Sequence, residues 1–265
     1  MNTARLFHRV HGPDGAPVVV VLHPLATHSA LWQPQLPAWS GRFRVVCVDL
    51  PGHGRSPVLP DVTTLGQYAE EVRLVLDALG VDRAALVGLS LGGMVAQAFA
   101  LAWPERTRAL VLAHTSARTE RAIRDLWSTR LQQAADEGMA AQVPAILGRW
   151  FPPDFAAVAP MTLQWVAEQI ASTPFDGYAA AIGAIQRLDH LDQLHRITAP
   201  ALVIAGELDA AAPPALARLM ADRLPHATLT TLPDCGHIGN VQQALAFTET
   251  VGAFLVQSLE PPAFP

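Results

Sequence analysis

The chain has 265 residues, the length of one large α/β domain with insertions, and its 51% hydrophobic and 15% charged residues supply a sizeable core and exclude a disordered or repeat protein. All 18 basic residues are arginine against 23 acids, for a net charge of −5. Without a lysine there is no Schiff-base catalysis, no pyridoxal anchor and no Walker-type phosphate loop, and mild acidity argues against a nucleic-acid partner.

The first residues, Met1 to Arg5, lead into no apolar leader, and no segment approaches the ~18 continuous apolar residues of a membrane span, so a soluble, cytoplasmic protein is expected. Ala16 to His23 and Phe43 to Leu50 are apolar, β-branched runs bounded by turn residues and read as buried parallel strands. Cys47 lies inside the second run, where a buried, inert thiol is the ordinary case, and with Cys235 it makes no disulfide framework. Asp49 to Ser56 lacks the glycine spacing and following helix of a phosphate loop and reads as a structural turn in which Arg55 and Asp49 pair. From Thr64 to Leu79 apolar residues recur at three and four, with Gly80 as a stop, which predicts an amphipathic helix.

A strand at Ala84 to Leu89, a helix from Met94 to Ala102 and a strand at Arg108 to His114 continue the alternation. It then breaks. Residues 117–195 read as helices (120–137, 140–150, 161–171, 177–188) separated by Pro152-Pro153, Pro160 and Pro174, with the segment 151–160 as a hinge or turn. The rhythm resumes with a strand at Ala201 to Gly206, a helix from Pro214 to Leu224, a strand at Ala227 to Leu232 and a last helix from Val241 to Leu259. The expected fold is α/β, a doubly wound, mostly parallel sheet formed by residues 1–116 and 196–265, with 117–195 inserted as a helical lid.

In such sheets ligands bind beyond the carboxyl ends of the strands, and the chemical candidates fall there. Ser90, in Gly88-Leu89-Ser90-Leu91-Gly92-Gly93, sits between a strand and a helix, the context in which a strained turn exposes a nucleophilic hydroxyl. Asp209 follows the Ala201–Gly206 strand and His237 follows the next, giving the order nucleophile, acid, histidine. Glu207, Asp234, Asp189 and Asp192 are rival acids, and no carboxylate follows the strand that ends at His114. Acyl transfer also needs two donors aimed at an oxyanion. The backbone N–H of Leu91 is one, and the loop His23-Pro24-Leu25-Ala26-Thr27 offers Leu25, since Pro24 has no N–H. Metal-ligand spacings are absent and no cofactor is implied.

With these residues the chain resembles the α/β-hydrolase superfamily along essentially its whole length, and within it the 3-oxoadipate enol-lactonases. The similar stretches are Trp32-Gln33-Pro34-Gln35, Gly52-His53-Gly54-Arg55-Ser56, the Ser90 turn, Pro104-Glu105-Arg106, Arg149-Trp150-Phe151, and Ile204 to Asp209 with Pro213-Pro214. It departs from them at Leu91 (more often methionine), at Pro24-Leu25-Ala26 (more often Ser-Leu-Gly) and at His114-Thr115 (more often Asn-Thr). The resemblance implies a small enol lactone with a free carboxylate as substrate, in aromatic catabolism. Lid arginines are the natural partners of that carboxylate: Arg130, one turn after Trp127 on the same helical face, is preferred over Arg118, Arg121 and Arg124, and Trp127 is the other substrate-binding candidate. A general carboxylesterase, a cofactor-free perhydrolase and a non-catalytic lactone receptor are the competing readings, and a homo-oligomer is left open.

Overall fold

The computed structural model describes residues 4–259, so the reading of the first residues falls mostly outside it, on Met1, Asn2 and Thr3. Seven strands form one sheet: β1 (His8–His11), β2 (Val18–Leu22), β3 (Arg44–Val48), β4 (Ala84–Leu89), β5 (Thr107–Ala113), β6 (Ala201–Gly206) and β7 (Ala227–Leu232). Their spatial order is β1-β3-β2-β4-β5-β6-β7, with β1 antiparallel to β3 and every other pair parallel. This is the mostly parallel sheet expected. β2 through β6 read as continuous Val, Leu, Ile and Ala runs because helices cover both faces, and their residues are almost all buried. The edge strand β1, His-Arg-Val-His, carries no such run and was not anticipated.

The helices are α1 (Leu36–Trp39), α2 (Leu65–Ala78), α3 (Leu91–Ala102), α4 (Arg121–Glu137), α5 (Met139–Trp150), α6 (Pro153–Val158), α7 (Pro160–Ser172), α8 (Phe175–Gln186), α9 (Pro214–Ala221), α10 (Gly239–Gln242) and α11 (Ala244–Leu259). α2 starts where Thr64 and Gln67 form a reciprocal capping box and stops before Gly80 at φ 64°. The segment expected as a hinge or turn contains the short helix α6, begun by Pro153 in its first turn. The last expected helix is two: α10 and α11 are separated at Gln243.

All of α4 to α8 lies between β5 and β6, which are paired neighbours in the sheet. The ends of this inserted stretch meet: Arg118 bridges to Asp189 in backbone pairing, and its guanidinium donates to Asp189 (2.7 Å) and Asp192 (2.6 Å). In-register parallel pairing, with Leu22 opposite Gly88, Ala113 opposite Ile204 and Gly206 opposite Leu232, brings the carboxyl ends of the strands to one rim. The inserted helices cover that rim.

Candidate active site

Ser90 stands between β4 and α3 with φ 52° and ψ −114°, a conformation that costs a non-glycine residue about 1–3 kcal/mol. Its backbone is held on three sides: its N–H donates to the Ala113 carbonyl (2.9 Å), and its carbonyl accepts from the Met94 N–H (3.1 Å) and the Thr115 hydroxyl (2.7 Å). Glycine makes the turn feasible, since a Cβ on Gly92 would strike the Leu22 carbonyl of β2 and one on Gly88 would strike the Gly92 carbonyl.

Asp209 leaves β6 through a tight loop and is buried. Its Oδ1 accepts from the amides of Ala211 (2.9 Å) and Ala212 (2.8 Å), while His237 Nδ1 lies 3.1 Å from Oδ1 and 2.9 Å from Oδ2. Burial by itself would raise this carboxyl, but the attraction of His237 and the hydrogen bonds from His114 and His237 outweigh it and hold the group below the usual carboxylate range. An ionised acceptor requires the proton of His237 on Nδ1, so Nε2 remains as the free base. The His237 backbone is fixed by its N–H donating to the Trp150 carbonyl (2.8 Å), and its ring lies 6.0 Å from the Trp150 ring. α5 therefore helps to place the imidazole.

The rival acids are engaged elsewhere: Glu207 accepts from the Asp234 backbone, and Asp189 and Asp192 receive Arg118. Behind β2, His23 accepts the Leu50 N–H on Nε2 (2.8 Å), so its Nδ1–H donates to the Pro24 carbonyl (2.8 Å), which also receives the Thr27 hydroxyl (2.9 Å). Fixing that carbonyl turns the trans peptide's other end, the Leu25 N–H, the opposite way. Neither the Leu25 nor the Leu91 N–H makes a hydrogen bond among the described residues. Two unsatisfied donors beside a serine suit an oxyanion.

Ser90, His237, Leu25, Trp127 and Arg130 all line one cavity of about 130 Å³ under the inserted helices, walled by Met94, Ile146, Trp150 and Ile185. A void of about 150 Å³ admits a benzene-sized molecule. Arg130 lies 4.9 Å over the Trp127 ring. Arg118 also reaches the cavity but is committed to Asp189 and Asp192, and Arg121 and Arg124 do not line it. The sequence reading quoted Arg149 within Arg149-Trp150-Phe151 but did not single it out for the carboxylate; it lines the same cavity, partly buried, with no carboxylate partner among the described residues. Burial, and then the like charge of Arg130, push the Arg149 guanidinium down to about 10, so it remains charged at neutral pH. The turn at Asp49 is structural, but the pairing differs from expectation. Its carboxylate accepts the backbone amides of Ser29 (2.8 Å) and Arg55 (2.9 Å), while the Arg55 guanidinium lies over Phe7. No helix among the described residues is long and apolar enough to cross a membrane.

This fold and site define a hydrolase, and the chain belongs to the alpha/beta hydrolase fold family, whose description matches residues 17–244. Among its relatives is 3-oxoadipate enol-lactonase 2 of Acinetobacter baylyi, 30% identical over 94% of this chain and 92% of that one. A candidate carbamate hydrolase, RutD of Variovorax paradoxus, is 34% identical over 97% and 98% of the two chains. The crystal structure of the enol-lactonase from Burkholderia xenovorans LB400 superposes with a TM-score of 0.91 at 36% identity, covering 95% of this chain and 96% of that one.

Proposed function

We propose that the protein is a serine hydrolase of small, carboxylate-bearing esters or lactones, with an enol lactone such as 3-oxoadipate enol-lactone as the preferred substrate. Ser90 attacks the ring carbonyl while His237, oriented by Asp209, takes its proton, and the Leu25 and Leu91 N–H groups receive the oxyanion. The ring C–O bond breaks, the enol ketonises, and water releases the acid from the acyl-enzyme. Residues 117–195 serve as the lid over this chemistry, and no cofactor takes part.

The observation that carries the substrate class is the wall opposite the serine. Arg130 and Arg149 line the cavity partly buried, repel one another, and have no carboxylate partner among the described residues. An anion on the substrate would complete that arrangement. The similarity to enol-lactonases supports the same reading, and the candidate carbamate hydrolases among the relatives point to carbamates as a second substrate class. The test is a kcat/KM series over the enol lactone, an anionic carbamate and neutral short-chain esters. A preference for the enol lactone of at least about tenfold, ~1.4 kcal/mol at the transition state, is expected. Equal rates on the neutral esters would reduce the protein to a general carboxylesterase.

A further inference from the structure

Asp209 has a second histidine on it. His114 directly follows β5 at φ 50°, in the left-handed region that is uncommon for residues other than glycine, though less so for histidine than for most. Its backbone N–H donates to the Ile204 carbonyl (2.8 Å), and its side chain is fully buried with Nδ1 3.2 Å from Asp209 Oδ2. The ring meets that of His237 edge-on at 6.2 Å and 79°. Nε2 has no partner among the described residues, and the ring occupies space that a side chain at position 239 would fill, since a Cβ on Gly239 would strike Nε2.

Strain, burial of a polar ring and an unanswered nitrogen all work against stability, and the single hydrogen bond from the side chain ends on the proposed triad acid. A side chain held so unfavourably is placed there for what it touches.

We propose that His114 is a positioning residue: its Nδ1–H pins Asp209 Oδ2 toward His237 and, by sharing the carboxylate's charge, limits how strongly that carboxylate holds the His237 imidazolium. The inference rests on Ser90, Asp209 and His237 acting as the triad. Because the carboxylate can only accept, the His114 proton sits on Nδ1 and Nε2 is bare. Burial lowers the readiness of His114 to take a second proton, so it remains a neutral donor at ordinary pH. The other titratable groups around this cluster are the buried Cys235 thiol, beside the Asp209 loop, and Arg118, Arg130, Arg149 and Tyr178, which line the same cavity. None of these hydrogen-bonds to Asp209 among the described residues.

The test is the pH profile of kcat/KM on p-nitrophenyl acetate for the full chain and for His114→Leu, His114→Asn and Ser90→Ala. With no donor at 114 the carboxylate faces His237 with more charge and the imidazolium is favoured, so the acidic limb of His114→Leu moves to higher pH. Its kcat falls about tenfold, the scale of one lost charge-assisted hydrogen bond, with KM little changed. His114→Asn, which restores a short N–H donor, recovers the rate and the limb. Wild-type kcat and limb in His114→Leu would overturn the proposal, as would equal losses in both His114 variants with an unmoved limb, which is the pattern of packing alone. Full turnover in Ser90→Ala would instead remove the triad and this inference with it. Should His114→Leu fail to fold, the ¹⁵N imidazole spectrum of the wild-type protein decides: Nδ1 protonated with Nε2 bare supports the role, and the opposite tautomer overturns it.

Discussion

Arg149 shows how a single side chain can be costly to the fold and useful to the site. Most of its surface is withdrawn from water, and Arg130 lies near it with like charge. Removing such a charge relieves the free protein, so Arg149→Met is expected to stabilise it by about 1 kcal/mol once the remaining solvent exposure is discounted. For a chain of this size that is a rise in Tm of about 2–4 °C, read by thermal unfolding. The same substitution raises KM for an anionic lactone about tenfold and leaves neutral esters unmoved, the loss of one charge-assisted contact. A lower Tm together with unchanged KM would show that the guanidinium serves packing instead. The positions of Ser90, Asp209 and His237 at the ends of β4, β6 and β7 could be read from chain order alone, because parallel strands deliver their carboxyl ends to one rim. The role of His114 could not: the absence of a carboxylate after β5 was visible, but which partner a buried histidine finds is settled by residues 95 positions away. Arg149, quoted only as part of Arg149-Trp150-Phe151, was not singled out for the same reason, since its lack of a carboxylate partner among the described residues depends on what α4 and α8 place beside it.

At the scale of elements, the turn between β4 and α3 depends on close approach to β2. Gly92→Ala drives a methyl group into the Leu22 carbonyl, and backbone has little freedom to yield in a packed sheet. We expect a loss of about 3 kcal/mol, measured as a lower urea midpoint at unchanged slope, together with a fall in kcat because Ser90 moves with the turn. A stable, fully active Gly92→Ala protein would contradict this account of the elbow. The strands buried on both faces were legible as apolar runs: β4 and β6 have the expected ends, and those of β2, β3 and β5 differ by one or two residues because hydrogen bonds, not composition, close each ladder. β1 escaped notice because an edge strand has one neighbour and needs no apolar run: its pairing with β3 places His8 opposite Val48 through backbone bonds. α6 was hidden by its prolines, which mark a boundary in sequence yet fit the first turn of a helix.

The whole molecule carries buried histidines that must stay neutral. Burial, reinforced by neighbouring His53, lowers His23 from 6.5 to about 3, and burial lowers His53 from 6.5 to about 4. In the unfolded chain both protonate near 6.5, so below that pH the unfolded state binds more protons and stability falls as pH drops from about 6.5 toward 4, at up to about 1.4 kcal/mol per unit for each histidine. Chemical denaturation at a series of pH values should show this slope, and His53→Gln should flatten it by about half. A flat profile between pH 6.5 and 5 would show that these rings take up protons while folded.

The clasp of Arg118 on Asp189 and Asp192 has an evolutionary corollary. Since the chain leaves the sheet after β5 and returns before its neighbour β6 through two points stitched together, five helices form one insertion, which meets the core again where the His237 N–H donates to Trp150 and the His28 N–H to Gln169. Exchanging that insertion for a cousin's would redraw the cavity beside Ser90, but only a replacement that again offers a carbonyl to the His237 N–H would keep that imidazole in place, so descent can explore new diets only by preserving that one contact.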